Sequence, residues 1–157
     1  MSPARLKLIG ALLLLASLAL PQYTCARLRA PDGSVWDSVP PGKDATLYRP
    51  FTERHYAYEN IELRDPISWL TLVAFGWPLI LTGVRRRFPG PTLNRVLWWL
   101  EPVLAGTSGY LILVFSSLGD RAIGAYVGLA ALVLLLLAWL AELRAFIADR
   151  RKARAAP

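Results

Sequence analysis

The ionisable side chains that stand inside long apolar stretches of this sequence are the first candidates for chemistry. Two of them are carboxylates, Glu101 and Glu142, and each lies near one end of an apolar stretch. A carboxylate in a membrane-like segment is unfavourable unless it is paired, protonated or hydrated. Both residues are therefore candidates for an ion pair or for the handling of a proton or a substrate.

Small residues recur at helical spacing beside both carboxylates. The positions one, two and three turns after Glu101 are occupied mainly by small side chains, and Glu142 lies about five turns after Gly124 on the same helical face. Stripes of small residues allow a second helix to approach closely. We therefore expect a helix-packing or partner interface made of Ala105, Ser108, Gly109, Gly124, Gly128 and Ala131.

The two carboxylates are expected to meet a group of arginines. If consecutive apolar stretches are antiparallel helices, Glu101 and Glu142 lie on the same side of the membrane as Arg85, Arg86 and Arg87. The sequence predicts a charge cluster of both carboxylates with one or more of these arginines. Three roles remain open for it: ion pairs that fix helix order while arginines reach the headgroups, a functional carboxylate, or exposure at the interface without pairing.

Residues for catalysis or metal binding are scarce. The chain has one histidine, His55, and one cysteine, Cys25. A single histidine provides neither a bis-histidine haem site nor a base near a nucleophilic serine, and a single cysteine provides no internal disulfide. There is also no glycine-rich phosphate loop with a lysine. We expect no enzyme activity, no cofactor and no metal site.

Four apolar stretches must position the candidate residues. They cover approximately residues 6–22, 67–84, 96–117 and 122–143, and stretches of about 18 or more apolar residues can cross a bilayer. With 55% hydrophobic residues, the fold class is predicted to be an all-α integral membrane protein, a bundle of four transmembrane helices. Pro78 and Pro102 fall within stretches and predict local bends, with a hinge at Pro78 as the alternative to a static kink.

The first stretch has two interpretations. Its strictly apolar part, residues 8–20, is short and follows a basic start, which is also typical of a secretory signal. Thr24 and Ala26 stand where a signal cleavage site requires small residues. A retained membrane anchor is the preferred interpretation, and either one places the following segment outside.

The distribution of charge predicts the orientation. The net charge is +7, and arginine and lysine concentrate at the N-terminal flank, between the second and third stretches, and in the basic tail, residues 144–157. Segments rich in these residues remain in the cytoplasm. We expect a bacterial inner-membrane protein with both termini cytoplasmic and residues 23–66 as an extracytoplasmic loop. The tail is expected to contact anionic lipid headgroups, and no basic module predicts nucleic-acid binding.

The outer loop is expected to carry two or three short β-strands, in the regions 34–39, 45–48 and 55–63. Its aromatic residues either fix the loop at the membrane surface or form a partner-binding surface. A metal site or a pH sensor at His55 is a weaker alternative. The recognition candidates are Trp36, Tyr48, His55, Tyr56 and Tyr58.

These patterns favour a non-catalytic membrane protein. We expect an accessory or assembly subunit that binds a larger membrane complex through its small-residue helix faces, with a membrane-protein partner or a second copy of itself and with membrane lipid around it. Two alternatives belong to other classes: a small oligomeric transporter or channel that uses Glu101, and a membrane sensor whose outer loop binds a ligand.

Overall fold

The protein is described by a computed structural model, with the backbone defined for residues 2–60 and 66–155 and the side chains for residues 2–59 and 68–148. Within these ranges the chain is mostly helical, with four α-helices and a small sheet. The helices are α1 (Pro3–Leu18), α2 (Pro66–Arg87), α3 (Pro91–Ser116) and α4 (Ile123–Ala155). The strands are β1 (Pro21–Arg29), β2 (Val35–Trp36), β3 (Arg49–Tyr56) and β4 (Asp120–Arg121).

Three helices in the described part of the chain are long and apolar enough to cross a membrane. They are α2 over Ser68–Arg87, α3 over Pro91–Ser116 and α4 over Ile123–Ala148. The segment of α4 is the most apolar, with a mean hydropathy of 2.4. These helices indicate a membrane protein. In contrast, α1 has 16 residues, a length of about 24 Å at helical rise against a hydrocarbon core of about 30 Å.

Proline residues set the helix boundaries. Pro3, Pro66 and Pro91 begin α1, α2 and α3, where the missing N–H has no helical partner to lose. Pro89 follows the end of α2, and Gly90 precedes α3 in an extended conformation. The α2–α3 connection is therefore only three residues long, which makes the two helices antiparallel neighbours.

Helix α1 lies along α4 in the antiparallel direction. A Cβ atom at Gly10 would be 2.8 Å from Leu135 Cγ, and one at Gly128 would be 3.2 Å from Ser17 Oγ. These glycines therefore allow the two helices to approach closely. The contact between α1 and α4 is the most extensive helix contact in the described part of the chain.

The core joins the four helices through fully buried apolar side chains. Leu14 of α1, Phe75 of α2, Ile112 of α3 and Ala131 of α4 are each no more than 1% exposed, and they belong to one contiguous cluster. Helix α1 is therefore an integral part of the bundle and not an appended segment.

Strand β1 is central in the sheet. It pairs antiparallel with β3 along its whole length, with Cys25 opposite Glu53, and with β2 at its end, with Leu28 opposite Trp36. Its beginning also pairs with β4, where Tyr23 lies opposite Arg121. Because β1 follows α1 after two residues, it connects the end of α1 to the turn between α3 and α4.

The structure corrects the predicted outer strands. The first predicted span included residues 19–22, but α1 ends at Leu18 and the central strand begins at Pro21, so β1 was missed. The strand predicted at 45–48 is wrong, because Ala45–Leu47 forms a 3₁₀ helix that the Asp44 side chain caps through the Thr46 N–H. Only part of region 55–63 is strand, since Ala57–Asn60 is also 3₁₀, and residues 61–63 lie outside the described residues.

The other expected boundaries differ by a few residues. Helices α2 and α3 begin before the predicted spans, and α4 continues without a break through most of the predicted tail, as far as Ala155. Two turns in the segment between α1 and α2 contain glycines with positive φ, 85° at Gly33 and 79° at Gly42, a conformation that glycine adopts without strain.

Candidate functional site

Each of the four helices contributes one charged residue to a single cluster, which we call the charge cluster: Lys7 of α1, Arg85 of α2, Glu101 of α3 and Glu142 of α4. Lys7 Nζ is 2.9 Å from Glu101 Oε2 and 2.7 Å from Glu142 Oε2. Arg85 Nη2 is 2.7 Å from Glu101 Oε1. A chain of ion pairs therefore links all four helices at one end of the bundle.

The charge cluster is neutral and partly buried. The side chain of Glu101 is 7% exposed, and those of Lys7, Arg85 and Glu142 are 20%, 26% and 32% exposed. Two cations match two carboxylates, so no net charge is removed from water. Removing one partner from such a pair leaves an uncompensated buried charge, which is strongly destabilising. The arrangement is suited to holding helices in a fixed order.

Two tryptophans extend the charge cluster between α3 and α4. Trp98 Nε1 donates a hydrogen bond to Glu142 Oε2 at 3.0 Å, and its ring stacks on Trp139 with a centroid distance of 4.9 Å. Trp139 Nε1 in turn donates to the Trp98 carbonyl at 3.1 Å. Pro102, four residues after Trp98, has no N–H to offer that carbonyl. Trp139 therefore supplies the donor that the proline removes.

A second carbonyl that loses its helical donor to a proline is also satisfied by a side chain of the neighbouring helix, here between α2 and α3. Pro78 cannot donate to the carbonyl of Ala74. Ser108 Oγ from α3 lies 2.6 Å from that oxygen and 2.8 Å from the Leu104 carbonyl oxygen of its own helix, so its single hydroxyl hydrogen has the Ala74 oxygen as the nearer of two acceptors. Trp77 Nε1 donates to Ser108 Oγ at 3.1 Å. In an apolar environment an unsatisfied carbonyl is unfavourable, so this contact stabilises the proline-containing helix and joins it to its neighbour.

The structure brings together only part of the predicted group of charges. Arg85 pairs with Glu101, whereas Arg86 and Arg87 are exposed and pair with neither carboxylate. Lys7, which connects the two carboxylates, was not predicted as a member. Its charge and its position in the sequence could have indicated this role. Lys7 is a cation one turn into α1, and that end of α1 was expected on the same side of the membrane as both carboxylates.

The small residues predicted as an interface are used for packing within the chain. Ser108 and Ala131 are fully buried, and Gly124 and Gly128 are also buried. Gly128 lies against Ser17 and Ile112, while a Cβ at Gly109 would contact Leu132 at 3.5 Å. Ala105 is half-buried and packs against the core. This face is therefore occupied by the protein's own helices, and a partner that binds this folded bundle would need another surface.

Among the recognition candidates in the segment between α1 and α2, His55 has well-defined neighbours. His55 stacks on Tyr23 with a centroid distance of 4.6 Å, and its nitrogens lie 3.6 Å from Glu53 and 3.8 Å from Glu59. Burial, assisted by nearby negative charge, raises the pKa of Tyr23. Within the described residues, no three His, Cys, Asp or Glu side chains are grouped so that they could hold a metal ion.

The aromatic candidates in the segment between α1 and α2 differ in exposure. Trp36 and Tyr58 are about half exposed, at 45% and 47%, whereas Tyr48 and Tyr56 are partly buried. The ring of Tyr58 lies 5.2 Å from that of Tyr56, and Trp36 Nε1 donates to Ser34 Oγ at 2.8 Å. Trp36 and Tyr58 are thus the aromatic candidates with surface available for recognition.

Two open cavities flank the charge cluster. One of about 550 Å³ is lined by Trp98, Trp99 and Phe146 together with Arg85 and Arg95, and the other, of about 530 Å³, lies between α1 and α2. The spaces that adjoin Glu101 inside the described bundle measure only about 10 and 20 Å³. A space of this size holds about one water molecule. The described bundle thus shows no wide aqueous path leading inward from Glu101.

Comparisons of the chain with protein-family models, with curated proteins and with solved structures found no match. The function is therefore argued from the geometry described above.

Proposed function

We propose that this chain is a non-catalytic integral membrane protein that crosses the bacterial inner membrane four times and acts as an accessory or assembly subunit of a larger membrane complex. Residues 23–66 lie on the extracytoplasmic side of that membrane in this proposal. The charge cluster, the α2–α3 connection and the basic tail lie on the cytoplasmic side, where arginine and lysine concentrate.

The packing of α1 supports its assignment as a membrane span in addition to α2, α3 and α4. The contacts of α1 and of the two residues after it run from Lys7, which meets Glu142, to Leu20, whose carbonyl oxygen adjoins Gly124. These two points on α4 are about 27 Å apart at helical rise, close to the thickness of the hydrocarbon core. The short α1 and the residues that follow it thus accompany α4 through nearly the whole apolar layer.

The two ion pairs of the Glu101 carboxylate favour a structural role for it over a role in transport. Its carboxylate is held by Lys7 and Arg85, and the spaces beside it inside the bundle are close to the size of single water molecules. A transport site requires a hydrated, accessible polar group near the path of the substrate. A carboxylate that is already neutralised by two cations is better suited to fixing helix order.

The outward face of α3 is the observation that carries the proposal. This helix buries the smallest share of its apolar segment inside the chain, 22% against 39% for α2 and α4. Its four most exposed large apolar side chains, together with the exposed Gly106, recur at alternating spacings of three and four, the repeat of a left-handed helix-packing seam. The seam consists of Val96, Trp99, Val103, Gly106 and Tyr110, all exposed.

Gly106 gives this seam a place for close approach. A Cβ atom at Gly106 would find no atom of the protein within 4 Å, so the space in front of the glycine is open. We assign the partner helix to this space, and assign specificity to the half-exposed Trp36 and Tyr58 of the outer segment. The partner-binding face is thus α3, and the Gly124 and Gly128 face serves the protein's own fold.

Co-purification tests the proposal. A tagged chain is extracted in mild detergent, and the proteins that accompany it are identified by mass spectrometry. We expect a stoichiometric membrane-protein partner with the wild type and with Gly83→Leu, whose glycine also faces open space, but on α2. Gly106→Leu should lose that partner while it keeps the melting temperature of the wild type.

Three outcomes would overturn the proposal. The first is a wild-type chain that is a monomer without companions in every mild extraction. The second is an equal loss of the partner in Gly83→Leu and Gly106→Leu, which would remove the role of α3. The third is ion or solute flux in reconstituted vesicles that Glu101→Gln abolishes, which would favour the transporter alternative.

A further inference from the structure

The groove of about 530 Å³ between α1 and α2 has a polar end made almost entirely of cations. Arg5 and Lys7 line it from α1, and Arg85 and Arg86 line it from the last turn of α2. Glu142 is the one carboxylate among the described residues that line the groove. The groove exists because α1 packs chiefly on α4 and makes fewer contacts with α2.

Ion pairs within the protein neutralise only two of these four cations. Lys7 and Arg85 are matched by Glu101 and Glu142 in the charge cluster. Among the described ion pairs, none involves Arg5 or Arg86, and both side chains are exposed. The groove therefore has two uncompensated positive charges.

The opposite end of the groove is apolar. Leu8 and Ala11 continue the wall on α1 below Arg5, and Leu79 continues it on α2, about 10 Å below Arg86 at helical rise. The change from cations to aliphatic side chains therefore runs along the helix axes. A phospholipid presents the same order, with a charged headgroup at the membrane surface and acyl chains below it.

We propose that this groove is a binding site for an anionic phospholipid, with the headgroup phosphate on Arg5 and Arg86 and one acyl chain along Leu8 and Leu79. Basic pockets between transmembrane helices on the cytoplasmic side are suited to such headgroups. The proposal rests on the part of the proposed function that places α1 and α2 across the membrane with these ends in the cytoplasm. It does not depend on any protein partner.

The apolar wall distinguishes a lipid from a soluble anion. A free phosphate would use only the cationic end and would leave Leu8, Ala11 and Leu79 without an occupant. A lipid uses both ends, and burial of its chain adds to the affinity in proportion to the apolar area covered. The site is also distinct from the basic tail, because its cations lie on α1 and on the end of α2.

Native mass spectrometry of the full chain in detergent tests the site. The protein is titrated with dioleoylphosphatidylglycerol or with dioleoylphosphatidylcholine. We expect the anionic lipid to bind at least about tenfold more tightly, since each cation near an anionic headgroup contributes several-fold in affinity. Inorganic phosphate at the same concentration should not displace it.

Paired variants locate the binding. Arg5→Gln with Arg86→Gln should reduce the affinity for phosphatidylglycerol to that for phosphatidylcholine. Arg87→Gln with Arg144→Gln removes the same charge from two exposed side chains that do not line the groove, and it should keep the preference. All four positions are exposed, so melting temperatures should remain those of the wild type.

Three results would overturn the site. Equal binding of the two lipids by the wild type would show that the cations do not select charge. An equal loss in both double variants would indicate general attraction by net charge and not this groove. Displacement of the lipid by inorganic phosphate would assign the cations to a soluble anion. Since a partner is not involved, each result is independent of the co-purification experiment.

Discussion

Lys7 of α1 and Glu142 of α4 are 135 residues apart in the sequence, and Lys7 Nζ lies 2.7 Å from Glu142 Oε2. The same ammonium group is 2.9 Å from Glu101, which Arg85 also neutralises. One lysine therefore connects the first helix of the bundle to the last two. This contact makes α1 a necessary part of the charge balance inside the fold.

We expect Lys7→Met to lower the stability of the protein by about 3 kcal/mol, because it leaves two partly buried carboxylates with one cation. Unfolding in detergent, followed by tryptophan fluorescence, measures the change. Lys43→Met, which removes an exposed lysine, is the matched control and should have little effect. The double variant Lys7→Met, Glu142→Gln restores the charge balance and should be more stable than Lys7→Met alone. A single variant as stable as the wild type would contradict the role of the charge cluster.

The contact between Ser108 and Ala74 predicts that the loss of the Ser108 hydroxyl is less destabilising when Pro78 is also replaced. Ser108→Ala leaves the Ala74 carbonyl without its donor and Trp77 Nε1 without its acceptor, and it should cost at least about 1 kcal/mol. In a Pro78→Ala background the new backbone N–H can bond that carbonyl, so the same substitution should cost clearly less. A double-mutant cycle in detergent measures the difference. If Ser108→Ala is equally harmful in both backgrounds, the serine does not replace the missing helical donor.

Two glycines should respond in opposite ways to the same substitution. A Cβ at Gly124 would lie 2.6 Å from the Pro21 carbonyl oxygen and 2.7 Å from that of Leu20, and backbone atoms cannot easily move aside. Gly124→Ala should therefore lower the melting temperature strongly. Gly83→Ala meets open space and should be neutral or stabilising by up to about 1 kcal/mol, because alanine is the better helix former. Similar melting temperatures for the two variants would show that α4 does not approach the end of α1 this closely.

The N-terminal helix should be retained in the mature protein. Loss of α1 by cleavage after Ala26 would expose Gly128 and the core and would remove Lys7 from both carboxylates. We expect the intact mass of a C-terminally tagged chain, purified from membranes, to include residues 3–26. A mature chain that begins at Arg27 would support the signal-peptide interpretation and remove the fourth span.

Asp32 predicts an acid transition in the segment between α1 and α2. Hydrogen bonds from the hydroxyl and the backbone N–H of Ser34 hold the pKa of Asp32 below its ordinary value of 3.8. Because the pKa is lowered by folding, its contribution to stability is present above 3.8 and is lost as the pH falls through the lower folded value. Trp36, which donates to Ser34 Oγ, should report this change in fluorescence.

The Trp36 signal is obtained by difference between the wild type and Trp36→Phe over an acid titration. Asp32→Asn should abolish the transition, while Asp44→Asn should preserve it, because Asp44 accepts its hydrogen bonds from Thr46 in a separate turn. A transition that persists unchanged in Asp32→Asn would assign it to another group.

Much of the membrane arrangement could be predicted because it depends on quantities that are local in sequence. Apolar length identified α2, α3 and α4, and helical spacing placed Gly124, Gly128 and Ala131 on one face. The strands were less predictable. The central strand β1 was taken in part for the end of a helix, since its identity depends on the pairing with β3 and β4 and not on its own alternation.

The sequence by itself determined which segments avoid water, which carboxylates would need partners, and which ends of the helices carry the positive charge. These properties follow from side-chain chemistry and from the helical repeat, and they require no knowledge of neighbours. Only the tertiary structure decided which cations pair with the two carboxylates. These are Lys7 and Arg85, and not Arg86 or Arg87. It also decided that α1 packs on the small-residue face of α4, because contacts between distant segments depend on how the helices are arranged around one another.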